Sequence, residues 1–122
     1  MAQKKKRNKN VEVTASATLK GVRVSARKTR LLVEMIKNLH VDSALNTLRF
    51  SNKKRGDILE KLLLSAIANA RENHNADADD LWVVGGWVNE GTTLMRFKPR
   101  ARGSAFPIRK KSSHITLQVG VR

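Results

Sequence analysis

Leu81-Trp82-Val83-Val84-Gly85-Gly86-Trp87-Val88 is too short for a helix and rich in β-forming residues, so it reads as a strand. Its natural partner lies at the far end of the chain. There Ile115, Leu117, Val119 and Val121 alternate with His114, Thr116, Gln118 and Gly120, the pattern of a half-buried strand. About 25 residues without helical periodicity separate the two, an implausibly long loop unless both strands continue outward as a hairpin. Pairing Leu81 near Gly120 puts the turn near Arg100-Ala101. About twelve residues beyond Val88, at roughly 3.3 Å each, then make a projection of order 40 Å. The tip from Arg96 to Phe106 has too little apolar surface to fold against itself, and a lone two-stranded ribbon is marginal in water. It needs a partner.

Upstream, the odd positions Val11, Val13, Ala15, Ala17 and Leu19 are apolar and the even positions between Glu12 and Lys20 are polar, which predicts another half-buried strand. Ser25 stands where a helix cap would, and Leu32, Met35, Ile36 and Leu39 follow with the spacing of one helix face, predicting a helix over about 25–38. Asp42 is placed to cap a short second helix that turns Val41, Ala44, Leu45 and Leu48 inward. A third helix from near Asn52 to about Asn73 carries the strongest periodic signal, an apolar stripe of Ile58, Leu59, Leu62, Leu63, Ala66, Ile67 and Ala70. Its first turn would then hold Lys53, Lys54 and Arg55, cations that oppose the helix dipole and suit a phosphate there. Asn73–Asp80 reads as a polar loop.

The chain has 122 residues and a formal net charge of +15, with 25 Lys+Arg against 10 Asp+Glu, so one small domain with a polyanionic partner is the expectation. The charge is concentrated. Residues 1–10 contribute +5, residues 11–30 contribute +4, and residues 96–111 contribute +7 without an acid, whereas 31–95 come to −2. The second basic run interleaves Phe97, Pro99, Ala101, Gly103, Ala105 and Phe106 with its cations, more than a solubilising tail needs. Aromatic residues are only 4% of the chain, which disfavours single-strand modules that stack bases on many rings and favours a grip on phosphates and the shape of folded nucleic acid. Neither a signal peptide nor a membrane span is expected.

Several stretches resemble the bacterial large-subunit ribosomal proteins of the L-twenty-two family. They are Val24-Ser25-Ala26-Arg27-Lys28-Thr29-Arg30-Leu31-Leu32, Ser65-Ala66-Ile67-Ala68-Asn69-Ala70, Asn89-Glu90-Gly91, Pro99-Arg100-Ala101-Arg102-Gly103 and Ser112-Ser113-His114-Ile115-Thr116. They keep the family's order and spacing from about Ala17 to Val121. Three positions depart from the pattern: Ala26 and Thr92 stand where the family usually has Pro, and Asn89 where it has Asp. The first departure removes a rigid start to the helix. The resemblance implies an α+β fold of three helices on a three-stranded antiparallel sheet, with a projecting hairpin over about 88–114. Residues 1–13 would be a basic extension to a single RNA-binding domain of residues 14–122.

The resemblance also implies a monomer within the cytoplasmic ribosome that binds large-subunit ribosomal RNA and neighbouring ribosomal proteins, supports assembly and lines the peptide exit tunnel. Its hairpin tip, Arg96, Phe97, Lys98, Pro99, Arg100, Ala101, Arg102 and Gly103, would meet the nascent polypeptide and influence macrolide sensitivity. The candidate RNA contacts are Lys20, Arg23, Arg27, Lys28 and Arg30 around the first helix, Lys53, Lys54 and Arg55 before the third, and Arg109, Lys110, Lys111 and His114 at the returning arm.

No catalytic residue, cofactor or metal is expected. Zero Cys excludes thiolate chemistry, and His40, His74 and His114 lack ligand spacing. Asp77, Asp79 and Asp80 lack the Gly and distal Glu of a calcium loop. Ser112 and Ser113 beside His114 have no orienting carboxylate nearby. Trp82 and Trp87 fall on opposite sides of a regular strand, so one is free to touch RNA while the other anchors the core. The competing reading is a DNA-compacting protein with a long β-arm, against which the chain offers no dimerisation seam.

Overall fold

The computed structural model describes residues 13–51, 55–99, 101–103 and 105–121. Lys53, Lys54, Arg100 and the basic run at 1–10 lie outside them.

In chain order the elements are β1 (Ala15–Val22), α1 (Ala26–Ile36), α2 (Val41–Arg49), α3 (Gly56–His74), β2 (Leu81–Glu90), β3 (Leu94–Pro99), β4 (Ala105–Lys110) and β5 (Ser113–Val121), with 3-10 turns at Ala78–Asp80 and, at the hairpin tip, Ala101–Gly103. Three helices pack on one face of an antiparallel sheet ordered β1-β5-β2, the expected α+β arrangement. The returning strand takes the centre because its alternation is the cleanest: Ile115, Leu117 and Val119 are all fully buried. Ala17 of β1 joins them under Leu59, Leu63, Ala66 and Ala70 of α3, while Leu81, Val83 and Val88 of β2 join the same core on the side of α1 and α2.

The α3 stripe holds as read, but the helix starts later. Arg55 is its N-cap, in the left-handed region at φ 80°, and Gly56 is the first helical residue. A Cβ on Gly56 would sit 2.8 Å from the carbonyl oxygen of Leu48, so the crossing of α2 and α3 requires glycine there. The first helical turn therefore carries Asp57, and of the three expected cations Arg55 stands at the cap while Lys53 and Lys54 lie outside the described residues.

Other expectations need correction. Helix α1 stops at Ile36 because Asn38 turns to φ 64° and donates to the carbonyl of Val83, while Leu39 accepts from the Val83 amide. Edge pairing with β2 replaces the last helical turn. The buried face of α1 is Thr29, Leu32, Val33 and Ile36, leaving Met35 41% exposed. His40, not Asp42, caps α2: its Nδ1 accepts from the Asp42 amide at 3.2 Å. Strand β1 begins at Ala15, and Val13 is 50% exposed.

The long ribbon is present but broken. Beyond Glu90↔Ser113 the ladder stops, and β3 and β4 form a separate two-stranded sheet from Leu94↔Lys110 to Pro99↔Ala105. At the break Gly91 donates to the Ser112 carbonyl and the Ser112 hydroxyl donates to the carbonyl of Thr92. Three residues of the outgoing arm face two of the returning arm, and a bulge between Val83 and Gly85 adds a further one. The turn consequently centres on Arg102, with Arg102 and Gly103 both at positive φ, slightly beyond the expected Arg100-Ala101. Every residue of β3 and β4 is exposed on both faces, so the arm buries nothing on the body.

The same bulge overturns the reading of the tryptophans. Trp82 pairs with Gly120 and Trp87 with Thr116, which puts both on the sheet face turned away from the helices. Trp82 is half-buried against His40, ring centroids 5.4 Å apart in an edge-on contact, and Trp87 stays 45% exposed.

Candidate nucleic-acid interface

Cationic side chains from three distant stretches of chain meet at the base of the hairpin. The turn from β1 into α1 is anchored by Val24, which is buried and whose carbonyl accepts from the buried Ser113 hydroxyl at 2.8 Å. With Val24 fixed inward, Arg23 and Ser25 on either side stand at the surface. Ser25 does not cap α1 with its side chain; its carbonyl instead accepts from the Thr29 amide at 3.1 Å and the Thr29 hydroxyl at 2.8 Å. The helix starts at Ala26 without the family's proline, and Ser25 gives it no side-chain cap. Such a terminus favours anions.

Beside it lies a cleft of about 810 Å³ lined by Arg23, Val24, Ser25, Lys28, Thr29, Leu31, Arg55, Arg109, Lys110 and Lys111. A smaller cleft of about 190 Å³ adjoins it across Ser25, Arg109 and Lys111, and adds Arg27, Glu90, Thr93 and Ser112. The ion pairs among the described residues are Glu34–Lys37 at 2.9 Å and Arg49–Glu60 at 3.0 Å, with His40 3.7 Å from Asp42 when protonated. None of the cleft cations is paired with a described carboxylate. Six like charges held around one groove without counter-ions repel one another, and phosphate oxygens are the groups that relieve them.

The cleft gathers Arg23, Lys28, Arg55, Arg109, Lys110 and Lys111 of the predicted contacts, and the smaller one Arg27. Others sit elsewhere. Lys20 is exposed on β1 outside both clefts. Arg30 directs its Nε to the carbonyl of Val88 at 3.1 Å and ties α1 to β2. His114 accepts at Nδ1 from Gly21, 3.0 Å away, holding the bulge where β1 slips register between Leu19 and Val22. Arg96, Phe97, Lys98, Arg102 and Gly103 lie on the exposed hairpin, and Pro99 and Ala101 flank its turn. Sequence reading did not single out Ser25, Leu31 or Thr93 for the clefts, nor the acid Glu90. Only the chain's return to this corner brings them there.

The serines beside His114 are structural ties: Ser112 donates to Thr92 and Ser113 to Val24. Asp77 caps the 3-10 turn by accepting from the Asp79 amide at 3.1 Å. Among the described residues no group of three or more His, Asp or Glu could hold a metal ion, and no helix is long and apolar enough to cross a membrane.

Residues 17–120 match the family described as Ribosomal protein L22p/L17e. The chain belongs to this ribosomal protein family. Its relatives include the large ribosomal subunit protein uL22 of Lacticaseibacillus casei, 50% identical over 106 residues, covering 87% of this chain and 91% of the relative. That of Ligilactobacillus salivarius is 48% identical over 109 residues, covering 89% and 95%. That of Caldicellulosiruptor saccharolyticus is 48% identical over 111 residues, covering 90% and 91%. Members of this family are ribosomal proteins and not enzymes, which agrees with side chains spent on staples and caps.

Proposed function

We propose that this large-subunit ribosomal protein binds large-subunit ribosomal RNA through the basic cleft, supports subunit assembly, and sends its hairpin through the RNA to line the peptide exit tunnel. Its membership of the large subunit follows from the family. The observation that supports the RNA reading is the convergence of six exposed cations from three chain segments, none paired with a described carboxylate, beside the N-terminus of α1. The domain is residues 14–122, with 1–13 a basic extension, and it works as a monomer among neighbouring ribosomal proteins in the cytoplasm. The exposed hairpin supports the tunnel role: an arm with no buried residue in β3 or β4 gains order from surroundings that cover it. Its tip would meet the nascent polypeptide and influence macrolide sensitivity. Family membership sets aside the DNA-compacting alternative.

The test is competition binding. The protein should prefer protein-free large-subunit RNA to duplex DNA of equal length, and equal affinity for the two would refute the RNA reading. Deleting Lys98–Ala101 should change macrolide sensitivity of ribosomes that carry the variant, and unchanged sensitivity would refute the tunnel role of the tip.

A further inference from the structure

Among the described residues no helix or strand packs on the sheet face turned away from the helices, where His40 meets only its Trp82 end, and the composition of this face is specific. Reading across the β2–β5 ladder, it presents Trp82 beside Gly120, Gly85 beside Gln118, Trp87 beside Thr116 and Asn89 beside His114. On β1 it continues with Ser16, Thr18 and Lys20, the Thr18 hydroxyl lying 3.2 Å from that of Thr116. No carboxylate stands at any of these positions. Glycine at 85 leaves the backbone bare next to the Trp87 indole, where only the Gln118 side chain comes near. Gln118 lies between the partners of the two tryptophans, so the accessible part of the face is the Trp87 ring, 45% exposed, a shelf edged by the amides of Gln118 and Asn89 and the Thr116 hydroxyl.

We propose that this face, centred on Trp87 and Gly85, stacks an unpaired nucleobase of RNA. A partner protein would want a contiguous apolar patch, whereas here one exposed indole stands among Thr, Gln, Asn and Ser. An aromatic platform with hydrogen-bonding neighbours and no acid is what single-stranded bases use. The site differs from the basic cleft in kind. The cleft reads phosphate charge, and this shelf reads the base. The proposal rests on the RNA-binding reading above, and the following test separates the two.

In the full chain carrying Trp82→Phe, Trp87 is the sole tryptophan and its fluorescence reports on the shelf. Two probes are titrated, a twelve-residue oligoadenylate and an abasic ribose-phosphate chain of the same length. The oligoadenylate should quench Trp87 and bind more tightly than the abasic chain. Trp87→Ala should weaken oligoadenylate binding by roughly tenfold and leave the abasic chain unaffected, and Trp87→Phe, which keeps a ring, should retain most of the affinity. Thermal melts matching the parent's show that the variants fold. If both probes bind equally without quenching and Trp87→Ala changes neither, the stacking proposal falls and the phosphate reading stands. Failure of both probes to bind even at low salt overturns both readings. If Trp87→Ala instead weakens binding of purified large-subunit ribosomal proteins and not of oligoadenylate, the face docks protein and the proposal is wrong.

Discussion

Replacing Lys28, Lys110 and Lys111 by Gln removes half of the six cations of the main cleft from two of its three chain segments. All three side chains are exposed and none is paired with a described carboxylate, so the variant should melt within about 0.5 kcal/mol of the parent. Binding is another matter. Each phosphate contact contributes roughly 0.7–0.9 to the slope of log affinity against log salt, so six contacts predict a slope of about −4 to −5 and the variant should lose about 2 to 2.7 of it. Because counter-ion release vanishes toward 1 M salt, the same loss read at 0.15 M amounts to roughly 50- to 150-fold in affinity. Filter binding of large-subunit RNA between 0.05 and about 0.5 M salt measures both quantities on one set of curves. The control is Lys37→Gln with Arg49→Gln, cations already held by Glu34 and Glu60, which should move the slope far less. An unchanged slope in the triple variant, or an equal change in the control, would show that net charge rather than this cleft drives binding.

Leu63 is fully buried in the α3 stripe, and Leu63→Ala should cost about 2–5 kcal/mol by denaturant melting; a loss below 1 kcal/mol would mean that the core does not close around α3. Gly56→Ala drives a Cβ to 2.8 Å from a backbone oxygen and should destabilise by about 1–3 kcal/mol, and a neutral result would deny the close crossing of α2 and α3. Deleting Lys98–Ala101 should leave the melting temperature of the free protein nearly unchanged, because β3 and β4 are exposed throughout; collapse of the fold would show that the arm packs on the body.

What the sequence made legible follows from how local each signal is. The α3 stripe and the alternation of β5 are read within one element, since burial on one side imposes its period on the chain, and both stand as expected. Boundaries set by a second element were not legible. Asn38 leaves α1 because Val83 offers it an edge, and Gly56 starts α3 where the Leu48 carbonyl allows nothing larger. The cap of α2 was missed for a similar reason: a carboxylate is the commoner acceptor, but His40 is held in place by Asp79, whose carbonyl lies 2.6 Å from its Nε2. At the interface, charge counting found the cations but could not sort them. That Arg109 shares a groove with Arg23 while Arg30 is turned to Val88 depends on the path of β5 back along β1 and β2.

Register carries the largest consequence, because one inserted residue exchanges the two faces of a strand. The bulge at Val83–Gly85 brings both tryptophans to the same open face, and the mismatch at Gly91–Thr93 resets the arm beyond it. In the resulting register Met95, Phe97, Pro99, Ala105 and Pro107 share one side of the hairpin with Arg109 at its base, while Arg96, Lys98 and Lys110 share the other with Leu94, Phe106 and Ile108. A run that reads in sequence as apolar residues scattered among cations is thus a ribbon with one side apolar but for Arg109 at its base and one mixed side that carries Arg96, Lys98 and Lys110. Neither side is covered by the body. An arm whose exposed sides carry both cations and apolar groups can leave water at little cost only where its surroundings offer counter-charge as well as apolar or stacking contact. Folded ribosomal RNA supplies both, phosphates along its backbone and base faces where strands are splayed. The two basic regions of the chain therefore ask different things of one partner: the cleft at the base needs charge alone, and the arm needs a passage lined on two sides.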